Sequence, residues 1–268
     1  EITMEANPAD DLDEVFTAFA AVGGNRVSLG MQTASDEQLE FLGRRHRHQD
    51  VVKAVDNAKA AGIDNISLDV MLGLKGQTVS SVESTLSKAH DLGAKHISAY
   101  MLKIEEGTPF HQRRDQLYLP DDDSVAELYS AACEALELLG FSQYEISNFA
   151  LPGFQSRHNL KYWNADPYLG IGPAAHSFID GRRFYYPRDL DGYIKGEQPV
   201  PEESSGAYPD AGEMEYLMLR LRLTQGVKYK EFEERFGHPI PRDITEGAAR
   251  QPDHLVCVDK EGIHLTRS

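Results

Sequence analysis

The chain has 268 residues, a length that suits one large domain plus a small one, and its 41% hydrophobic content supports a packed core. Twenty-seven basic residues face 43 acidic ones, and the resulting net charge of −16 excludes nucleic acid and anionic lipid as main partners. Two cysteines, Cys133 and Cys257, sit far apart in amphipathic or apolar runs, so both read as buried thiols. No disulfide framework is indicated, which predicts a reducing, cytoplasmic location. No run approaches the ~18 apolar residues of a membrane span, and no signal peptide is recognisable.

Taken in order, residues 1–5 (EITME) read as a strand, closed by Asn7-Pro8. Leu12, Val15, Phe16 and Phe19 give residues 11–21 a helical period, and Gly23-Gly24 stops it. Residues 26–33 (RVSLGMQT) form the second strand. Ser35 and Gln38 have capping-box spacing for a short helix, and a longer helix covers 49–61, ending at Gly62. Strands follow at 65–73 and 96–104, separated by a helix over 78–92 that Gly93 ends. The acidic run 121–123 starts a helix, with Ser124 and Glu127 as its expected capping box and Gly140 as its stop. Residues 142–150 are the fifth strand-like run. Five strands alternating with helices predict βα units and a parallel sheet, open or barrel-like. No GxGxxG or Walker loop follows any strand.

Beyond this scaffold, residues 158–178 (HNLKYWNADPYLGIGPAAHSF) hold the only Trp, two His and a Gly170–Gly172–Pro173 turn. Residues 182–187 read as a short strand and 196–211 as a linker rich in Pro, Gly and Ser. Helices from 213 and over 229–236, then a hairpin at 254–266, suggest a winged-helix-like module over 212–268. Its local charge is not basic enough to point to DNA. The chain opens on a strand with no Met and no leader, and IHLTRS reads as the middle of a hairpin. On this reading the sequence is a piece of a longer protein.

Polar groups stand at successive strand ends: Glu5, Gln32, Asp69 and Lys103. A charge on a buried strand is costly unless paired, so four in series point to a shared polar pocket. Loop capping or pairing with a nearby Arg is the plainer reading of each alone. Arg44 opens RRHRH. Arg45 and Arg47 read as a solvated helix end, whereas Arg44 could reach a ligand carboxylate through its planar fork. His158 is either a structural histidine in an aromatic cluster or a ligand-binding group, and His176, behind two alanines, poses the same choice. Tyr162 and Trp163 read either as core aromatics or as polar-edged walls of a site.

Together EITMEANP, RVSLGMQT, NISLDVMLGLKGQT, HISAYMLKIEEGTPF, HNLKYW and YLGIGPAAHS resemble the oxygen-independent coproporphyrinogen III oxidase family of radical SAM proteins, in its haem-chaperone (HemW-like) branch. The resemblance implies a partial (β/α)6 barrel, its N-terminal strands missing, occupying residues 1–195. It implies S-adenosylmethionine contacts from Glu5, Gln32, Arg44 and Asp69, with Lys103 and the Ala174–His176 turn on the same side. Lys103 stands where the oxidases usually have a small residue. Haem is implied near His158, Tyr162 and Trp163, or near His176, with transfer to recipient haemoproteins. The alternative is radical decarboxylation of coproporphyrinogen III to protoporphyrinogen IX. The family's CxxxCxxC, which holds a [4Fe–4S] cluster, is absent from these residues, so it is expected upstream of Glu1. The 268 residues alone are expected to lack radical chemistry and to bind S-adenosylmethionine weakly or not at all.

Overall fold

Parallel strands whose apolar residues alternate with small and polar ones build the first half of the chain. The computed structural model describes residues 1–201 and 211–267, which divide into two units, Glu1–Ser156 and Arg157–Ser268. The expected linker falls largely on residues 202–210, outside the described residues.

The first unit runs β1 (Thr3–Ala6), α1 (Asp13–Ala21), β2 (Arg26–Gln32), α2 (Asp36–Phe41), α3 (His48–Ala60), β3 (Asn65–Leu72), α4 (Val79–Asp91), β4 (His96–Met101), α5 (Pro109–Gln112), α6 (Asp122–Leu138), β5 (Ser142–Glu145) and β6 (Asn148–Ala150). Its six-stranded sheet has the order β1-β2-β3-β4-β6-β5. The first four strands are parallel, with Glu5 opposite Ser28, Ser28 opposite Ser67 and Asp69 opposite Ser98. Val27, Leu29 and Met31 on β2, and Leu68, Val70 and Leu72 on β3, are fully buried. They share one core with Val51 and Val55 of α3, Val82 and Leu86 of α4, and Leu128 and Leu136 of α6. Each such side chain contributes about 1.5–3 kcal/mol by leaving water. The intervening positions, Ser28, Gly30, Asp69 and Ser98, point to the opposite face because strand side chains alternate.

Three local expectations are corrected. The fifth run is a hairpin, and β6 pairs antiparallel to both β4 and β5. Only Ile146 and Ser147 join β5 to β6, far too few residues for a parallel crossover. The α6 N-cap is Asp121, whose carboxylate accepts from the Ser124 amide at 2.9 Å, in place of a Ser124–Glu127 box. At α2, Ser35 caps the Gln38 amide, but the Gln38 side chain turns to the Thr33 hydroxyl at 2.7 Å.

The second unit runs α7 (Arg157–Trp163), β7 (His176–Ile179), β8 (Arg182–Tyr185), α8 (Leu190–Ile194), β9 (Val200–Pro201), α9 (Ala211–Arg220), β10 (Val227–Lys228), α10 (Tyr229–Phe236), α11 (Arg242–Ala249), β11 (Val256–Val258) and β12 (Gly262–Leu265). It holds two antiparallel three-stranded sheets, β7-β8-β9 and β10-β12-β11. From α9 onward the order of helices and hairpin is that of a winged helix. Tyr216, Leu217, Val227, Phe232, Ile240 and Ile263 form its core, with Ala165 from the end of α7. Arg220, only 4% exposed, donates to Asn164 and, at 2.7 Å, to Glu231. No helix among the described residues is long and apolar enough to cross a membrane.

Candidate functional site

Strand alternation creates the first candidate site. A cleft of about 270 Å³ at the C-terminal ends of β1, β2 and β3 is lined by Glu5, Ala6, Asn7, Ser28, Gly30, Arg44 and Asp69. Asp69 accepts from the Ser28 hydroxyl at 3.3 Å. Burial pushes its carboxyl above the usual range, and the Glu5 carboxylate pushes the same way, while bonds to Ser98 and Tyr100 oppose the rise. The same burial, together with the Asp69 charge, raises the Tyr100 phenol. A cationic ligand group beside the buried Asp69 carboxylate would relieve its cost.

Arg44 reaches this cleft because α2 ends tightly. Gly43, at φ 70°, returns its amide to the Glu40 carbonyl, and the Arg44 amide returns to Leu39. This Schellman turn costs a residue with a Cβ its comfort, so glycine fits it. Arg45 and Arg47 face outward to Asp10 and Glu40 in exposed pairs, as a solvated helix end predicts.

Gln32 ends β2 at a register irregularity with φ 62°, a left-handed conformation unusual for a residue with a side chain. It is 5% exposed, and its Oε1 is buried without a hydrogen-bond partner among the described residues. Gly30 of the cleft lies next to it, and a Cβ there would come within 2.8 Å of Gln32 Nε2 and push that amide aside. Backbone strain and an unsatisfied acceptor thus coincide at one residue. The donor set suits a zwitterion: carboxylates for an amino group and hydroxyls, a guanidinium for a carboxylate.

Lys103 is not brought into the cleft. Its side chain is 80% exposed and pairs with Glu105 at 2.8 Å. Reading strand ends also missed groups that the face contains. His96 is 1% exposed, shares hydrogen bonds of 2.8 Å with Ser67 and with Tyr144, and has its pKa lowered to about 3 by burial and by Arg26. His46, inside RRHRH, is equally buried, and burial lowers its pKa too. Alternate positions counted back from Asp69 and Gln32 were the available signal for Ser67 and Ser28.

The other candidates lie in the second unit. On α7, His158 and Tyr162 stand four residues apart on one face, with Nε2 and the phenol oxygen 2.9 Å apart and the rings edge to face. Tyr162 packs on Tyr168, whose hydroxyl accepts from Arg183 at 2.9 Å, and Arg183 pairs with Glu215. His158 is exposed. Beyond Tyr168 come Leu169 and Ile171, 62% and 79% exposed. Trp163 carries the Arg222 guanidinium 4.4 Å from its ring centre, and its buried Nε1 lacks a partner among the described residues. His176 opens β7, stacked on its cross-strand neighbour Tyr185 at 5.3 Å. A Cβ on Gly170 would collide with the His176 carbonyl, so that close approach requires glycine.

The model of the radical SAM superfamily matches residues 1–89, and that of the HemN C-terminal domain matches 214–268. The chain is 38% identical over 249 residues to the heme chaperone HemW of Bacillus subtilis, covering 90% of the chain and 65% of that protein. It is 36% identical to HemW of Lactococcus lactis, covering 99% and 71%, and 36% identical to HemW of Escherichia coli, covering 87% and 62%. The chain thus spans about two thirds of the length of these relatives. The fold matches that of E. coli coproporphyrinogen III oxidase (HemN), a radical SAM enzyme, with a TM-score of 0.82 over the whole chain and 66% of that structure, at 20% identity.

Proposed function

Because the chain belongs to the HemW family of the radical SAM superfamily, we propose that it binds haem through α7 and hands it to recipient haemoproteins, while its first unit contributes part of a site for S-adenosylmethionine. The observation that carries the haem reading is the exposed His158 imidazole, oriented by the Tyr162 hydroxyl. An imidazole held by a hydrogen bond is a good iron ligand, because the bond sets tautomer and direction. Exposed Leu169 and Ile171 offer apolar surface to a macrocycle. An exposed site also suits cargo that must leave.

In the cleft, Glu5 and Asp69 would hold the amino group and ribose hydroxyls of S-adenosylmethionine and Arg44 its carboxylate, and the Gln32 amide, outside the cleft lining but next to Gly30, would accept from a donor on the ligand. That cofactor supplies one-electron chemistry at its sulfonium when it meets a reduced iron–sulfur cluster. Residues 1–268 do not fit such a cluster. Of the two cysteines, Cys133 is buried within α6 and Cys257 belongs to the other unit. The residues present bind and orient, and no radical step is derived from them. Coproporphyrinogen decarboxylation draws no support from a likeness at 20% identity, which carries the fold alone.

Loading the chain with haem and mixing it with a haem-free globin tests the proposal. Transfer faster than free haem release into buffer, and slowed by removing His158, is the expected result. Absence of a Soret-active complex sinks it.

A further inference from the structure

The hairpin that ends the second unit carries a group of side chains with no part in the reading above. Cys257 on β11 and His264 on β12 are cross-strand partners. Asp259 follows Cys257 by two positions, so strand alternation sends both to one face. The ligand atoms of these three residues lie within 4.8 Å of one another.

The turn holds the group in place. Asp259 donates its amide to the Gly262 carbonyl, and its Oδ1 accepts from the amides of Glu261 at 2.7 Å and Gly262 at 3.0 Å. These amides keep the Asp259 carboxyl below the usual range, with Lys228 and His264 adding to the effect. Gly262 is required, because a Cβ there would collide with the Val227 carbonyl of β10. The carboxylate is therefore fixed by its turn through one oxygen and presents the other.

We propose that Cys257, Asp259 and His264 form a binding site for a borderline-soft divalent cation of the zinc class. One thiolate, one imidazole and one carboxylate are a zinc-type donor set, and three protein ligands leave a fourth position for water. Bonds of about 2.0–2.3 Å in a tetrahedron put donor atoms roughly 3.5 Å apart, so modest side-chain rotation closes the observed spacing.

Cobalt(II) is the probe. Titrated into the reduced full chain, it should give thiolate-to-cobalt charge-transfer absorption and intense tetrahedral d–d bands at one equivalent, both displaced by zinc. Cys257→Ser should abolish the charge-transfer band. His264→Ala should weaken cobalt binding at least tenfold, and Asp259→Asn, which keeps the turn acceptor, less. Cys133→Ser should change nothing. Circular dichroism on each variant verifies the fold. The site is refuted if the wild-type chain shows no cobalt–thiolate absorption, or if that absorption survives Cys257→Ser.

Discussion

His96–Tyr144 at 2.8 Å and His158–Tyr162 at 2.9 Å are His–Tyr hydrogen bonds of nearly equal length. Their surroundings are opposite. His96 lies under the polar face of the first unit's sheet, with its second nitrogen on Ser67 and its pKa near 3. His158 stands exposed on a short helix among aromatic and apolar residues. A neutral imidazole has one donor and one acceptor nitrogen, so His96, bonded at both, is committed to structure. Residue type and hydrogen-bond length do not distinguish scaffold from site. Burial does.

The largest effect that would break this comparison is a missing pH dependence. A His96 that stays neutral when folded but protonates near 6.5 when unfolded gives the unfolded state the extra proton. Its contribution is whole above pH 6.5 and is lost as pH falls towards about 3. Over that window the loss is on the order of 5 kcal/mol at most. Urea melts of the wild-type chain against His96→Gln, at pH 7 and in steps below, should show a steeper decline for the wild type. Parallel curves would place His96 in water.

Arg220→Met probes commitment in the second unit. It strips the partners of Asn164 and Glu231 and the cation over Tyr216. Because Glu231 is half exposed, the cost should be about 2 kcal/mol, towards the low side for a broken buried pair. Asp69→Asn sharpens the contrast from the other direction. It removes a buried charge that Glu5 repels while keeping an acceptor for Ser28. Thermal unfolding at pH 7 should shift upward by about 0.5–1 kcal/mol of stability, the usual trade at a functional site. Ligand-observed NMR should show weaker S-adenosylmethionine binding. The smallest stability change belongs to His158→Ala, within about 0.5 kcal/mol as for other exposed positions.

The sequence made the scaffold legible where one residue type answers one geometric demand. Gly23, Gly62, Gly93 and Gly140 all stop helices at positive φ, where a Cβ is disfavoured. Glu5 and Asp69 were legible because charges on apolar strands demand partners, Arg44 because its planar fork suits a carboxylate, and the three converge on one cleft. Lys103 met the same criterion yet faces solvent with Glu105, since it lies beyond the end of β4. The β5–β6 hairpin was hidden inside one continuous β-prone run. The helix α11 was hidden by Pro239, Pro241, Thr245 and Gly247, which disfavour a helix locally while packing of Ile244 and Ala248 holds it. Trp163 under Arg222 joins residues nearly sixty apart, a contact that no local pattern encodes.

Haem titration followed by Soret absorbance, run in parallel on the wild-type chain, His158→Ala and Asp69→Asn, tests the central claim most directly. The account predicts that His158→Ala shifts the Soret band and weakens binding at least tenfold, while Asp69→Asn reproduces the wild-type spectrum and affinity. Identical spectra and affinity for His158→Ala and wild type, or a loss confined to Asp69→Asn, would contradict it.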